Sequence, residues 1–189
     1  MNYIRNLGPF EIWRLKQHLL RLSPEERRQR FFGSVSDEAV ATHCAGIYGV
    51  RVIVIGFFAD GVLRGAAELR LEMDIAGRAE LAITVETAWQ DSGVGTALVE
   101  RAVTAAGNRG ARSLFMVCLL DNRQMQHIAG KLTDRLIIVE DQVEADLVTP
   151  FPTYISLWLE AATEGVGVMS SWLDHLPLGG VPVAPEVSA

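Results

Sequence analysis

Two glycines one residue apart, Gly93 and Gly95, stand between a β-type run and a helical one in AELAITVETAWQDSGVGTALVERAV, residues 79–103. No other feature restricts the fold as much. Glycine admits positive φ and close backbone approach, so a chain that places two of them there keeps the turn free of side chains. The helix that follows aims unpaired N–H groups and a positive dipole end at the same space. An anion, phosphate above all, suits such a place.

The bulk properties narrow the setting. At 189 residues, 49% of them hydrophobic, the chain fits one domain or one domain with an appendage. The longest apolar run, Val52 to Ala59, is interrupted by Gly56 and is far too short to span a bilayer. The opening MNYIRNLGPFEIW has no secretory h-region. Cys44 and Cys118 show no metal spacing and suit reduced thiols in a cytoplasm, the expected location. A net charge of −6 argues against a nucleic-acid partner and is compatible with a cationic amine. Neither a membrane nor a metal is expected as a partner.

Along the chain, PFEIWRLKQHLL carries apolar residues at helical spacing. Ser23-Pro24-Glu25-Glu26 is a capping box with proline at the first helical position, and SDEAVATHCAGI starts another helix. At Val50 the period changes. RVIVIGFFA and a second arm with alternating Leu69, Leu71 and Met73 form a hairpin about Asp60-Gly61. AELAITV is a third strand, LFMVCLL a strand covered on both faces, and RQMQHIAGKL a helix. RLIIVE and VEADLVT close as a hairpin at Asp141-Gln142, and TYISLWLEAATE reads as a last helix. Beyond it lies a Pro/Gly-containing apolar tail. Its Met169, Trp172, Leu173 and Leu176 at helical spacing suggest packing on the domain or a homodimer.

A Walker-type phosphate loop needs a lysine after its glycines, and none lies near Gly93 or Gly95. A Rossmann loop needs a third glycine where Leu98 stands, and a tighter turn than the seven residues ETAWQDS allow. That reading stays open as a minor alternative. The whole segment resembles the acetyl-CoA-binding motif of the GNAT N-acetyltransferase family, Q/R-x-x-G-x-G/A, here Gln90, Gly93 and Gly95. The resemblance covers roughly residues 5–150 in the family's order of elements. LSPEERRQRFFG is similar to the first-helix region of a subgroup that includes protein lysine acetyltransferases. It implies an α/β fold of the GNAT acyl-CoA N-acyltransferase type: a mixed, mostly antiparallel sheet flanked by helices, with residues 1–160 as the domain and 161–189 as the tail.

The resemblance also implies a site. Backbone N–H groups of Gln90, Asp91, Ser92, Gly93, Val94, Gly95 and Thr96 would hold the pyrophosphate of acetyl-CoA, the co-substrate. Ile83, Thr84 and Val85 would pair with its pantetheine arm like an added strand, and Asn122 would contact it. The acceptor would be an amine, on a protein lysine or a small molecule. It must lose a proton before attacking the thioester, and Glu80 stands where the family places that base, with Glu86 and Glu68 in reserve. The Val85 N–H would stabilise the oxyanion. The chain departs from the family where a tyrosine protonates the leaving thiolate. Ala129 stands there, and the next residues are Lys131-Leu132-Thr133-Asp134 in place of K-L-G-F. His127 is a substitute acid, and a weakly active or inactive CoA-binding domain is the alternative.

Overall fold

Asp60 and Gly61 adopt left-handed backbone, φ 49° and 76°, as a two-residue hairpin turn requires, and join β2 (Val52–Ala59) to β3 (Val62–Arg70). A computed structural model of the chain describes residues 2–47, 51–72, 77–133 and 135–162. Met73 and the tail residues Met169, Trp172, Leu173 and Leu176, with the homodimer expected of them, lie outside the described residues. β4 (Arg78–Val85) runs antiparallel to β3, α4 (Val94–Asn108) crosses over, and β5 (Ser113–Leu119) returns parallel to β4. α5 (Arg123–Leu132) leads to the hairpin of β6 (Leu136–Val139) and β7 (Gln142–Val148), turned at Glu140-Asp141, one residue earlier than expected. In the sheet β7 lies beside β5, and β6 takes the outer edge.

At the opposite edge lies a strand that the sequence reading missed. β1 (Asn2–Asn6) pairs antiparallel with β2. Its five residues NYIRN alternate too weakly to announce a strand; β2's open edge supplies the partner. The order is β1-β2-β3-β4-β5-β7-β6, seven strands in which only β4 and β5 pair parallel among the described residues. This is the mixed, mostly antiparallel sheet that was expected.

Side-chain alternation gives the sheet two buried faces. Ile55, Leu69, Leu81, Leu114 and Met116 pack with Leu98, Val99 and Ala102 of α4. Val54, Phe58, Leu63 and Ala66 pack on the other face against α1 (Ile12–Arg21) and α3 (Asp37–Ile47), through Leu15, Leu19 and Val40. Between those helices α2 (Pro24–Phe31) starts from Ser23, whose hydroxyl accepts the Glu26 N–H while Glu26 accepts the Ser23 N–H, the capping box read from the sequence. A helix over 154–162, α6, is tied to the end of α4 where Arg109 and Asn108 donate to the buried Glu160, each at 2.6 Å. Among the described residues no helix is long and apolar enough to cross a membrane.

Candidate active site

The parallel pairing of β4 with β5 runs from Arg78 opposite Ser113 to Leu81 opposite Met116 and stops there. β4 continues on β3 as far as Val85 opposite Gly65, while β5 continues on β7 to Leu119. Two neighbouring strands thus part in mid-sheet. The Glu86 N–H donates to the carbonyl of Arg64 in β3, so in the antiparallel ladder the even-numbered residues turn their backbone groups to β3. The odd-numbered ones, Ile83 and Val85, turn theirs into the gap. An open strand edge results, of the kind that pairs with an extended ligand.

The glycine loop lies at the top of this gap. Gly93 caps α4 with φ 84°, which an L side chain rarely adopts, and Asp91 is also left-handed at φ 55°. The first helical bond runs from the Ala97 N–H to the Gly93 carbonyl at 3.0 Å. The amides of Val94, Gly95 and Thr96 therefore precede the hydrogen-bonded turns and form a donor cluster. The rest of the loop braces itself. The Gln90 side chain donates to the Val85 carbonyl at 2.8 Å, its own N–H bonds to Thr87, and Ser92 Oγ donates to the Trp89 carbonyl at 2.6 Å. The Val94 side chain packs in the core.

A cavity of about 460 Å³ connects these parts. One wall is Glu80 to Val85 with Gln90, Asp91, Gly93, Gly95 and Thr96; the other is Val117, Cys118, Asn122, Met125, His127 and Ile128. Ser92 and Val94 are not among its lining residues. Asn122 caps α5, accepting the Met125 N–H at 3.0 Å on Oδ1. Burial pushes the Cys118 thiol up to about 11, so it stays protonated and unreactive at neutral pH. Ala129 is buried and is not among the lining residues, whereas the exposed His127 is. Gly95 faces α5 closely: a Cβ there would stand 2.7 Å from Ile128 Cδ1.

Three glutamates that look alike in sequence have different surroundings. Glu68 is buried, accepts from Arg30 at 2.8 Å, bonds the His43 ring at 2.7 Å, and does not line the cavity. Burial pushes its carboxyl up, but the Arg30 guanidinium and the His43 ring outweigh this and hold it at about 2. Glu86 is also held at about 2, where hydrogen bonds from His18, Arg64 and Arg21 overcome the effect of burial. Carboxylates this acidic are poor proton acceptors at neutral pH. Glu80 opens onto the cavity with its side chain 64% exposed, and its one ion pair among the described residues, with Arg70, is long at 3.8 Å. Its neighbour Arg78 turns instead to Asp146 and the Phe115 ring.

The sequence reading missed the part played by α2. Glu26, assigned there only to the capping box, also accepts from Thr87 Oγ1 at 2.8 Å and lines the cavity, as do Gln29, Arg30 and Phe32. Arg28 bridges to Asp121 at the entrance to α5, so α2 crosses the mouth of the parted strands. The capping box was a visible signal; the long-range partners had none.

Comparison with known proteins agrees with this geometry. A family model described as the acetyltransferase (GNAT) family matches residues 15–132. No curated protein matches the chain. Among solved structures, the GNAT domain of S. lividans PAT is 22% identical, with a TM-score of 0.63, covering 76% of this chain and 89% of that one. YncA of Salmonella typhimurium, a putative acetyltransferase determined with acetyl-CoA, is 14% identical at a TM-score of 0.60, covering 81% and 96%. The PaiA N-acetyltransferase of Thermoplasma acidophilum, in complex with coenzyme A, is 18% identical at a TM-score of 0.56, covering 77% and 98%.

Proposed function

The chain belongs to the GNAT acetyltransferase family, and from that premise we propose that it moves the acetyl group of acetyl-CoA to a primary amine by direct attack on the thioester. The observation that carries this reading is the open edge of β4 past Leu81, which meets the amide cluster of α4 in one cavity. An extended arm and a pyrophosphate need just these two features, side by side. The residues present fit acetyl-CoA: Ile83 and Val85 offer backbone to the arm, Gly93 to Thr96 offer amides to the phosphates, and Asn122 stands on the facing wall. Bound there, acetyl-CoA supplies an activated acyl group. Glu80 takes the proton of the amine, and the Val85 N–H stabilises the charge that develops on the carbonyl oxygen. The acceptor is a protein lysine or a small-molecule amine, and the resemblance of LSPEERRQRFFG tilts the choice toward protein lysine.

Thiol release from acetyl-CoA over a panel of amines tests the reading. Turnover on at least one amine is expected, with His127 in place of the missing tyrosine as the proton donor to the thiolate. Acetyl-CoA binding without turnover on any amine would favour the second reading, a CoA-binding regulatory domain, for which the buried Ala129 speaks.

Gly95→Val tests the phosphate loop separately. The added side chain drives the tip of Ile128 toward the cavity, and that flexible tip can yield without unfolding the domain. Affinity for CoA is expected to fall up to roughly tenfold, within the limit of about 2 kcal/mol that a partly buried helix terminus contributes to a charge. Calorimetry showing unchanged affinity in a folded variant would remove the pyrophosphate from this loop. The expected homodimer is a further proposal of this reading: a chain ending at residue 162 should elute as a monomer where the full chain elutes as a dimer, and the same oligomeric state for both would exclude the tail as the interface.

A further inference from the structure

Past Leu81, β4 has lost β5 as a neighbour, and the segment carrying Val85 is held in the sheet on one side only. The sheet holds the Val85 N–H through β3 alone, and a second constraint acts from the helix layer. The side chains on either side of it, Thr84 and Glu86, converge on one ring, His18 of α1. Thr84 Oγ1 lies 2.8 Å from His18 Nε2, and Glu86 Oε1 lies 3.2 Å from Nδ1. His18 is completely buried, and both its nitrogens are engaged in these two contacts. An ionised carboxylate only accepts, so Nδ1 carries the hydrogen directed at Glu86, and Nε2 can then accept the Thr84 hydroxyl. Arg21 and Arg64 fix the Glu86 carboxylate in turn, at 2.9 and 2.8 Å.

We propose that His18 is a positioning residue: it clamps Thr84 and Glu86, and so holds the Val85 N–H between them at the angle needed to meet the thioester oxygen. A histidine on the buried face of an amphipathic helix is ordinarily packing. This one joins the two residues that flank a single amide, on the strand segment where pairing with β5 has ended. Transition-state donors act through being fixed before the reaction, so a loosened β4 end weakens the donor without removing it. The proposal rests on the reading that acetyl-CoA lies along β4.

The test is the infrared carbonyl stretch of acetyl-CoA labelled with carbon-13 at the thioester carbonyl, bound to the full chain without acceptor. In the wild type the stretch moves to lower frequency on binding. In His18→Leu, which keeps the bulk and loses both hydrogen bonds, it returns toward the free value, while the dissociation constant of acetyl-CoA stays close to wild type. His18→Gln, which can again accept and donate, recovers most of the shift. With an amine substrate, kcat of His18→Leu falls about 10- to 100-fold at unchanged acceptor KM, less than or up to the loss on deleting a donor outright. A folded His18→Leu with the wild-type stretch, or a His18→Gln no better than leucine, overturns the proposal. If His18→Leu does not fold, Thr84→Val removes one hydroxyl and must show the same return of the stretch. Wild type that binds and polarises acetyl-CoA but turns over no amine sinks the transferase reading alone. Wild type that does not bind acetyl-CoA overturns both.

Discussion

Replacing Glu80 with glutamine is expected to lower turnover roughly 10²–10⁴-fold, the usual contribution of a positioned general base, and to leave acetyl-CoA affinity unchanged. The amide keeps the shape of the carboxylate and one acceptor oxygen but not its basicity. A lysine-type amine has a pKa near 10.4, so about one molecule in 10³ is neutral at pH 7. The defect must therefore shrink as pH rises and the amine loses its proton unaided. A purely structural Glu80 makes a different forecast. Its exposed 3.8 Å pair with Arg70 is of a kind that contributes about 0–1 kcal/mol, and losing it leaves no pH signature in the rate. The pH–rate profiles of wild type and Glu80→Gln decide between them. Near-normal rates across pH would move the proton to water or to Glu26, the other glutamate on the cavity wall.

Local signals made most of the scaffold legible. The Gly93–Gly95 loop, the helix after it, the Asp60-Gly61 hairpin and the Ser23–Glu26 capping box each depend on neighbours within a few residues, and each appears where the sequence puts it. Four features were not legible because distant chain decides them. β1 exists because β2 has an open edge to offer. The clamp on His18 joins residues 66 and 68 positions apart, and no spacing rule covers that. The bridge from Arg28 to Asp121 spans 93 positions. The fates of Glu68, Glu80 and Glu86 differ because α1, α2 and α3 bring basic side chains to two of them and leave the third facing the cavity. Strand alternation puts Glu68 and Glu80 on one sheet face, and it cannot say which one a helix will cover.

That difference predicts an opposite outcome for Glu68. Glu68→Gln is expected to spare the chemistry and damage the fold, since Glu68 is buried between Arg30 and His43 and lies off the cavity wall. Removing one partner of a buried pair leaves the other charge uncompensated, at a cost of about 3–5 kcal/mol. Against a total stability on the order of 5–15 kcal/mol, the transition should fall by roughly 10 °C. The sign of the acid dependence follows from the depressed carboxyl. Its stabilising contribution is complete above the ordinary glutamate range near 4.5 and is lost as pH falls from there through about 2. Wild type should therefore lose stability steeply over that window. Glu68→Gln should start lower and fall less steeply, keeping the slope that Glu86 and other depressed carboxyls such as Glu11 and Glu26 still provide. Urea melts at pH 7 and at pH 3.5, with turnover measured well below the lowered transition, separate the two glutamates. Glu80→Gln changes rate at constant stability, and Glu68→Gln changes stability at near-constant rate. A Glu68→Gln protein with wild-type stability and an unaltered acid slope would show that Arg30 and His43 do not stabilise the fold through this carboxylate.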